Sequence, residues 1–228
     1  MLDKMIRKIK SVPRYGIILG IVYFVLQYGL YRLGAYLSVV TGMIDHAWEC
    51  KIAVIDDLIP IIPVFSVIYI YSYVFWIMGP MAVSLTGKRN FINYIAGLSL
   101  AYLIGFVIFI FVPTYMDRVK EGLMTAAAQP GIFNKLLEII YAADGSEKAF
   151  NLFPSYHCLI SAYCYLGICG REEISRGFRI YSLVMAVLIS ISTVCTKQHY
   201  IIDVFGGIAI SVFCWLLMKK LDPGKKYS

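Results

Sequence analysis

The chain has 228 residues, of which 60% are hydrophobic and only 15% are charged, and its mean hydropathy is +0.73. A soluble domain cannot bury this much apolar surface, so the composition indicates a polytopic membrane protein instead. The net charge of +7 comes from basic residues scattered along the chain. The sequence shows neither a basic helix suited to a DNA groove nor a set of aromatic residues on which bases could stack, which argues against nucleic-acid binding.

Six long apolar segments follow one another along the chain, and each has a length suited to a membrane-spanning helix. They lie near residues 15–39, 61–85, 91–113, 155–170, 178–195 and 200–218. The segment near 155–170 is the shortest. The sequence therefore predicts an all-α polytopic membrane protein, a six-transmembrane-helix bundle that forms one membrane-embedded domain over residues 1–228.

The distribution of Lys and Arg predicts that both termini face the cytoplasm. In that orientation 14 of the 21 basic residues lie on inner segments and 6 on outer segments, while Arg32 lies within the first span. The first apolar run is too long for a cleavable signal peptide. The pattern of residues 1–10 predicts a short basic amphipathic helix that lies along the inner surface of the membrane. We expect a protein of the plasma (cytoplasmic) membrane, and an internal membrane with the site on its lumenal side fits the same charge distribution.

The longest loop, residues 113–154, lies on the outer side and is long enough to hold structure of its own. Within it Ile132, Leu136, Ile139, Ile140 and Ala143 recur at helical spacing, which predicts a short outer amphipathic helix over residues 130–143. Two interpretations of this helix stay open. It is either a lid over a site beneath it or a surface helix that covers the bundle.

Several ionisable residues fall at the outer ends of the predicted spans, where such groups suggest function by default. In the stretch CTKQHYIID, His199 and Asp203 are four residues apart and share one face of a helix that begins near residue 199. The carboxylate then fixes one imidazole nitrogen and leaves the other as a base or nucleophile. The alternative is a structural pair that ties the helix start to its loop.

The stretch FPSYH predicts a second helix start, because Ser155 is a good N-cap and Pro is common near the first turn. The N–H groups of Ser155, Tyr156 and His157 are then expected to be free to hold an anion, and His157 can donate a proton to it. Arg118 and Lys197 add positive charge that suits a phosphate. The alternatives are a plain capped helix and two interfacial cations.

At these residues the sequence resembles the type 2 phosphatidic acid phosphatase superfamily of membrane enzymes, whose three motifs are Lys-x6-Arg-Pro, Pro-Ser-Gly-His and Ser-Arg-x5-His-x3-Asp. The second motif reads PSYH here, with Tyr156 in place of Gly. The third reads STVCTKQHYIID, with Thr193 in place of Arg. The first keeps Arg118 but has Phe111 in the lysine position and Val119 in the proline position.

The resemblance covers residues 90–215, with the core motifs within 110–207. The residues of the third motif are similar to those of a subgroup that often carries Lys-Gln-His. The resemblance implies a phosphoric ester hydrolase, a lipid phosphatase that needs no metal or other cofactor. The substrate is expected to be a membrane lipid phosphate, bound at the outer, extracytoplasmic face of the bilayer.

The resemblance also implies a role for each residue. His199 attacks phosphorus and forms a phosphohistidine, Asp203 orients His199, and His157 protonates the leaving oxygen and then helps to activate water. A second set of residues is expected to hold the phosphate oxygens, with one of them, the lysine, as a substitute cation: Arg118, Lys197, Ser155 and Tyr156.

Three other functions stay open. A lipid phosphotransferase, resembling the sphingomyelin and inositol phosphorylceramide synthases, would pass the phosphoryl group to a lipid hydroxyl. A zinc enzyme would use His46, His157 and His199 together with Asp203. A non-catalytic lipid-binding protein would keep a degraded version of the site. The sequence names neither the lipid substrate nor the oligomeric state.

Overall fold

A computed structural model describes residues 11–145 and 147–227, so the predicted basic helix over residues 1–10 lies outside the described residues. The described chain is almost entirely helical. Its nine α-helices are α1 (Arg14–Val40), α2 (Ala53–Asp56), α3 (Phe65–Ser84), α4 (Lys88–Phe111), α5 (Leu123–Ala127), α6 (Ile132–Ala143), α7 (Tyr156–Ile168), α8 (Arg176–Cys195) and α9 (Ile201–Leu221). One small antiparallel ribbon pairs β1 (Tyr115–Asp117) with β2 (Lys148–Phe150).

Five of the helices, α1, α3, α4, α8 and α9, are long and apolar enough to cross a membrane. This confirms the prediction of an all-α polytopic membrane protein. The fourth predicted span, near residues 155–170, corresponds to α7, which has 13 residues. At about 1.5 Å per residue α7 is shorter than the hydrocarbon core, which is about 30 Å thick. The count of six spans and the cytoplasmic termini therefore stay predictions.

The short helix α7 lies at the centre of the bundle. It packs against α3, α4, α8 and α9, and most of its side chains are buried. Glycine on the neighbouring helices allows this close approach, as small residues commonly do between membrane helices. A Cβ on Gly105 of α4 would lie 2.3 Å from the ring of Tyr156, so glycine at this position makes room for the first residue of α7.

Residues 41–64, 112–155 and 196–200 come together at one end of the bundle, which we call the motif end. Here Trp48 bridges to Thr114, and Arg118 and Tyr141 both reach the turn between α8 and α9. A second apolar cluster, distinct from the core between the helices, fills this end. Its buried members include Met116, Leu123, Leu137, Leu152 and Tyr200.

Helix α6 forms within the predicted amphipathic segment and has both buried and exposed apolar residues. Leu137, Ile140 and Tyr141 are buried, whereas Ile132 and Ile139 are exposed. The rotation of the helix follows from Tyr141, whose hydroxyl donates a hydrogen bond to the carbonyl of Thr196 at 2.9 Å. The spacing pattern located the helix but did not single out Tyr141, because it counts apolar residues and cannot detect an aromatic hydroxyl with a buried partner.

Candidate active site

His199 and Asp203 meet at the start of α9. The Nδ1 atom of His199 lies 3.3 Å from Oδ2 of Asp203, and both side chains are buried. Because a carboxylate only accepts hydrogen bonds, Nδ1 carries the proton and Nε2 is left with a lone pair. The same Oδ2 accepts the backbone N–H of Tyr200 at 2.8 Å, so the carboxylate is held in place by the helix start itself.

The other carboxylate oxygen of Asp203 has a partner that sequence reasoning missed. The thiol of Cys50 lies 3.1 Å from Oδ1 of Asp203, although 153 residues separate the two in the chain. Burial, followed by the negative charge of Asp203, raises the pKa of the Cys50 thiol. The thiol therefore stays protonated and donates to the carboxylate. In the sequence Cys50 is a single cysteine in a loop, with no signal of this contact.

His157 lies in the first turn of α7 and is packed among aromatic rings. Its imidazole stacks on Tyr69, with 4.0 Å between ring centroids, and lies 4.8 Å from Trp76. The ring of His199 is 6.1 Å away. Within the described residues the buried Nε2 atom of His157 has no hydrogen-bond partner. The spacing allows both imidazoles to contact one small group placed between them.

Ser155 caps α7 as predicted, since its hydroxyl oxygen accepts the N–H of Cys158 at 3.3 Å. Its own backbone N–H is not free, however, because it donates to the carbonyl of Asp203 at 3.0 Å. The expectation that this N–H would hold an anion is wrong for this reason. The ring of Tyr156 lies along the adjoining cavity, while its hydroxyl donates to the carbonyl of Tyr102 at 2.8 Å.

Arg118 is fully buried just behind the site. Its guanidinium donates to Oδ2 of Asp144 at 3.1 Å and to Oε1 of Gln198 at 3.1 Å, and it lies over the ring of Tyr141. Arg118 does not itself line the cavity that His157 and His199 face. The structure thus brings Arg118 close to the two histidines, but one layer of side chains separates it from them.

Lys197 points away from the two histidines. Its backbone has a φ of 51°, a left-handed conformation that is unusual for a residue other than glycine. The turn sends the ammonium toward the loop before α3, where Nζ donates to the carbonyl of Asp56 at 2.7 Å. Burial lowers the pKa of Lys197. The structure therefore does not bring this predicted substitute cation to the cavity.

A cavity of about 240 Å³ adjoins the two histidines. Its polar wall is formed by His157, His199, Gln198, Asn151 and Asp144. Three other lining residues also reach the outer surface of the bundle. Those residues are Tyr28 of α1, Ile70 of α3 and Ile139 of α6, with exposed fractions of 60%, 37% and 55%.

A family model of the PAP2 superfamily matches residues 35–217, well over half of the chain. The chain belongs to the PAP2 superfamily. The match begins well before residue 90, so the PAP2 region also takes in α3, the whole loop before it and the end of α1.

One relative of this chain is an uncharacterized protein of Methanocaldococcus jannaschii. It is 27% identical over 152 residues, which are 65% of this chain and 57% of the relative. The chain thus spans a little over half of that relative's length. No solved structure matches this PAP2 chain.

Three residues of this PAP2 site carried no usable signal in the sequence. Asp144 and Asn151 lie in the long loop, and only their tertiary contacts bring them to the cavity. Gln198 lies inside the third motif, immediately before His199, and its position there was the one available hint. By contrast His46, a residue of the zinc alternative, lies in an exposed 3-10 turn. Among the described residues no three His, Cys, Asp or Glu side chains are grouped to hold a metal.

Proposed function

We propose that this PAP2 protein is a metal-independent lipid phosphatase that uses His199 as its nucleophile. The observation that carries the proposal is the pair of imidazoles 6.1 Å apart at one cavity, one of them hydrogen-bonded to a buried carboxylate. Superfamily membership supports phosphatase-type chemistry at these two residues. The reaction would take place at the extracytoplasmic face, where the charge distribution puts the motif end.

The reaction proceeds in two steps. In the first, Nε2 of His199 attacks phosphorus, the P–O bond to the lipid alcohol breaks, and His157 protonates the departing oxygen. Asp203 accepts the Nδ1 hydrogen bond and stabilises the positive charge that develops on the imidazole. In the second step, His157 takes a proton from water as the water attacks phosphorus. The N–P bond breaks, and inorganic phosphate and free His199 are released.

A lipid substrate is favoured by the exposed apolar and aromatic residues that line the cavity. Tyr28 and Ile70 lie on spanning helices and are exposed on the side that would face the bilayer, and Ile139 lies on the amphipathic helix above them. An acyl chain leaving the cavity between these residues would stay within hydrocarbon while its head group reaches the imidazoles.

A second candidate, lipid phosphotransfer, is favoured by the charges of the cavity wall. Among the described lining residues there is one carboxylate, Asp144, and no lysine or arginine. The guanidinium of Arg118, which lies behind this wall, is paired with Asp144. Such a wall suits a phosphodiester with one negative charge better than a phosphomonoester with two. Transfer of the phosphoryl group to a lipid hydroxyl would then replace hydrolysis.

The first experiment measures phosphate release from a panel of lipid phosphates by purified protein with EDTA present. The variants are wild type, His199→Ala, His157→Ala and His46→Ala, the last being the matched control because His46 lies in an exposed turn away from the cavity. We expect turnover that survives EDTA, full activity in His46→Ala and none in His199→Ala. Release that needs a metal, or that persists in His199→Ala, contradicts the proposal.

The leaving group separates the roles of the two histidines. With an alkyl phosphate, His157→Ala should lose about 10²- to 10⁴-fold in kcat/KM, which reports the first step alone, because an alkoxide needs a proton as it leaves. With an aryl phosphate, whose phenolate leaves without one, the loss should be much smaller. His199→Ala should inactivate the protein toward both. If wild type releases phosphate from no substrate, adding lipid alcohols as acceptors distinguishes transfer from a non-catalytic protein.

A further inference from the structure

Three residues that line the cavity each carry a buried polar atom without a hydrogen-bond partner among the described residues. These atoms are Nε2 of His157, Nε2 of Gln198 and Oδ1 of Asn151. Buried polar groups in proteins are nearly always hydrogen-bonded, so three such atoms around one cavity indicate that it receives a polar ligand. The reaction described above uses His157 and gives no role to Gln198, whose side chain is 2% exposed.

The orientation of the Gln198 amide is determined by its neighbour Arg118. A guanidinium can only donate hydrogen bonds, so the amide end that faces Arg118 at 3.1 Å must be the oxygen. The amide NH₂ then lies at the other end, where it has no hydrogen-bond partner among the described residues. Arg118 cannot rotate away easily, because it is fully buried and is also held by Asp144.

The backbone directs Gln198 and Lys197 to opposite sides. Lys197 adopts its left-handed conformation just after α8, and the N–H groups of Gln198 and His199 both donate to the carbonyl of Thr193, at 2.9 and 3.2 Å. The lysine side chain therefore reaches the neighbouring loop, while Gln198 enters the cavity wall beside His199. The neutral residue, not the charged one, lies where a phosphate would bind.

We propose that the Gln198 amide binds a phosphate oxygen of the substrate and that Arg118 is a positioning residue that acts through Gln198. This inference rests on the proposed function, because it names how the same site holds its substrate. The amide supplies a directed N–H donor, and Arg118 polarises the amide from behind by donating a hydrogen bond to its oxygen. Arg118 thus contributes to phosphate binding without contacting the phosphate.

The decisive variant is Gln198→Glu. The carboxylate has the shape of the amide and still accepts from Arg118, but it presents a negative oxygen where the NH₂ was. If Gln198 only holds Arg118 in place, this variant keeps its activity. If Gln198 binds phosphate, KM rises by about 10- to 100-fold, the loss expected for one hydrogen bond to a charged group. Gln129→Glu, an exposed position, is the matched control and stays like wild type.

A double-mutant cycle tests the positioning role of Arg118. Arg118→Met should raise KM on its own but should add little in a Gln198→Ala background, because the residue through which it acts is then absent. Additive effects on KM would show that Arg118 acts independently and would overturn that half of the proposal. Circular dichroism and melting temperature of each variant identify any that misfold, since the loss of Arg118 leaves Asp144 without its ion-pair partner.

A binding measurement keeps this inference separate from the proposed function. Inorganic phosphate should raise the melting temperature of the His199→Ala protein, which cannot turn over, and should fail to do so when Gln198→Glu is added. Loss of that protection supports the role of Gln198 even if the lipid substrate is misassigned. Equal protection in both proteins overturns it, even if wild type proves to be an active phosphatase.

Discussion

Removal of the Cys50 thiol should slow turnover without weakening substrate binding. The thiol is 3% exposed and is the partner of Oδ1 of Asp203, whereas the N–H of Tyr200 and the imidazole of His199 share Oδ2. Cys50→Ala leaves one oxygen of a fully buried carboxylate without this donor. A hydrogen bond to a charged group contributes about 1.5–3 kcal/mol, and a thiol is a weak donor, so we take about 1 kcal/mol.

That free energy corresponds to about a fivefold loss in kcat, because each 1.36 kcal/mol changes a rate by about tenfold. KM should stay unchanged, since Cys50 does not line the cavity. The assay is phosphate release at saturating substrate for wild type, Cys50→Ala and Cys50→Ser. The serine hydroxyl can still donate to Oδ1 and should restore most of the rate. If the alanine variant has wild-type kcat, or if the serine variant is as slow as the alanine variant, the thiol does not position the acid.

The pH dependence provides a second check on the same contact. An unperturbed thiol ionises near pH 8.5, and a thiolate would repel Asp203. Because burial raises the pKa of Cys50, the thiol stays protonated above that pH. The ratio of wild-type to Cys50→Ala turnover should therefore stay constant from about pH 6 to about pH 9. A ratio that falls as the pH passes about 8 would show an ordinary, ionising thiol and would contradict this account.

Three further predictions concern packing, topology and charge. Gly207→Ala should destabilise the protein by about 1–3 kcal/mol, because its Cβ would lie 2.5 Å from the backbone carbonyl oxygen of Ser155. Gly29→Ala is the control, since its Cβ would meet nothing within 4 Å and its melting temperature should equal that of wild type. A membrane-impermeant maleimide should label the exposed Cys169 only from the cytoplasmic side, and labelling from outside would reverse the predicted topology. Asp144→Asn should strengthen inhibition by inorganic phosphate about tenfold, because it removes the negative charge from the cavity wall. Weaker inhibition would show instead that Asp144 assists phosphate binding.

The spanning helices could be predicted closely because the membrane makes their signal simple. In hydrocarbon the backbone must satisfy its own hydrogen bonds, so a long apolar run becomes a helix of nearly the same length. The predicted segments 15–39 and 178–195 correspond to Arg14–Val40 and Arg176–Cys195. The central helix α7 was harder to bound, since its burial comes from neighbouring helices and its 13 residues carry no length signal of their own.

The candidate site was only partly predictable, for a related reason. The His199–Asp203 pair could be found because both residues lie on one helix four positions apart, so local geometry decides the contact. The partner of Asp203 on its other oxygen, Cys50, is remote in sequence, and no local pattern encodes it. The direction of Lys197 depends on a single left-handed residue in a turn, which composition and spacing do not reveal.

The hydrogen bond from the N–H of Ser155 to the carbonyl of Asp203 joins the starts of α7 and α9 through their backbones. Gly207 reinforces this junction, because its lack of a side chain lets α9 press against the first turn of α7. His157 and His199 therefore lie beside a junction between two helix starts, and moving them apart would break this main-chain hydrogen bond. Tyr28 and Ile139 line the same cavity but belong to α1 and α6, which are not part of this junction. The spacing of the two histidines would then stay constant, and sequence changes on α1 and α6 would alter which lipid fits the cavity.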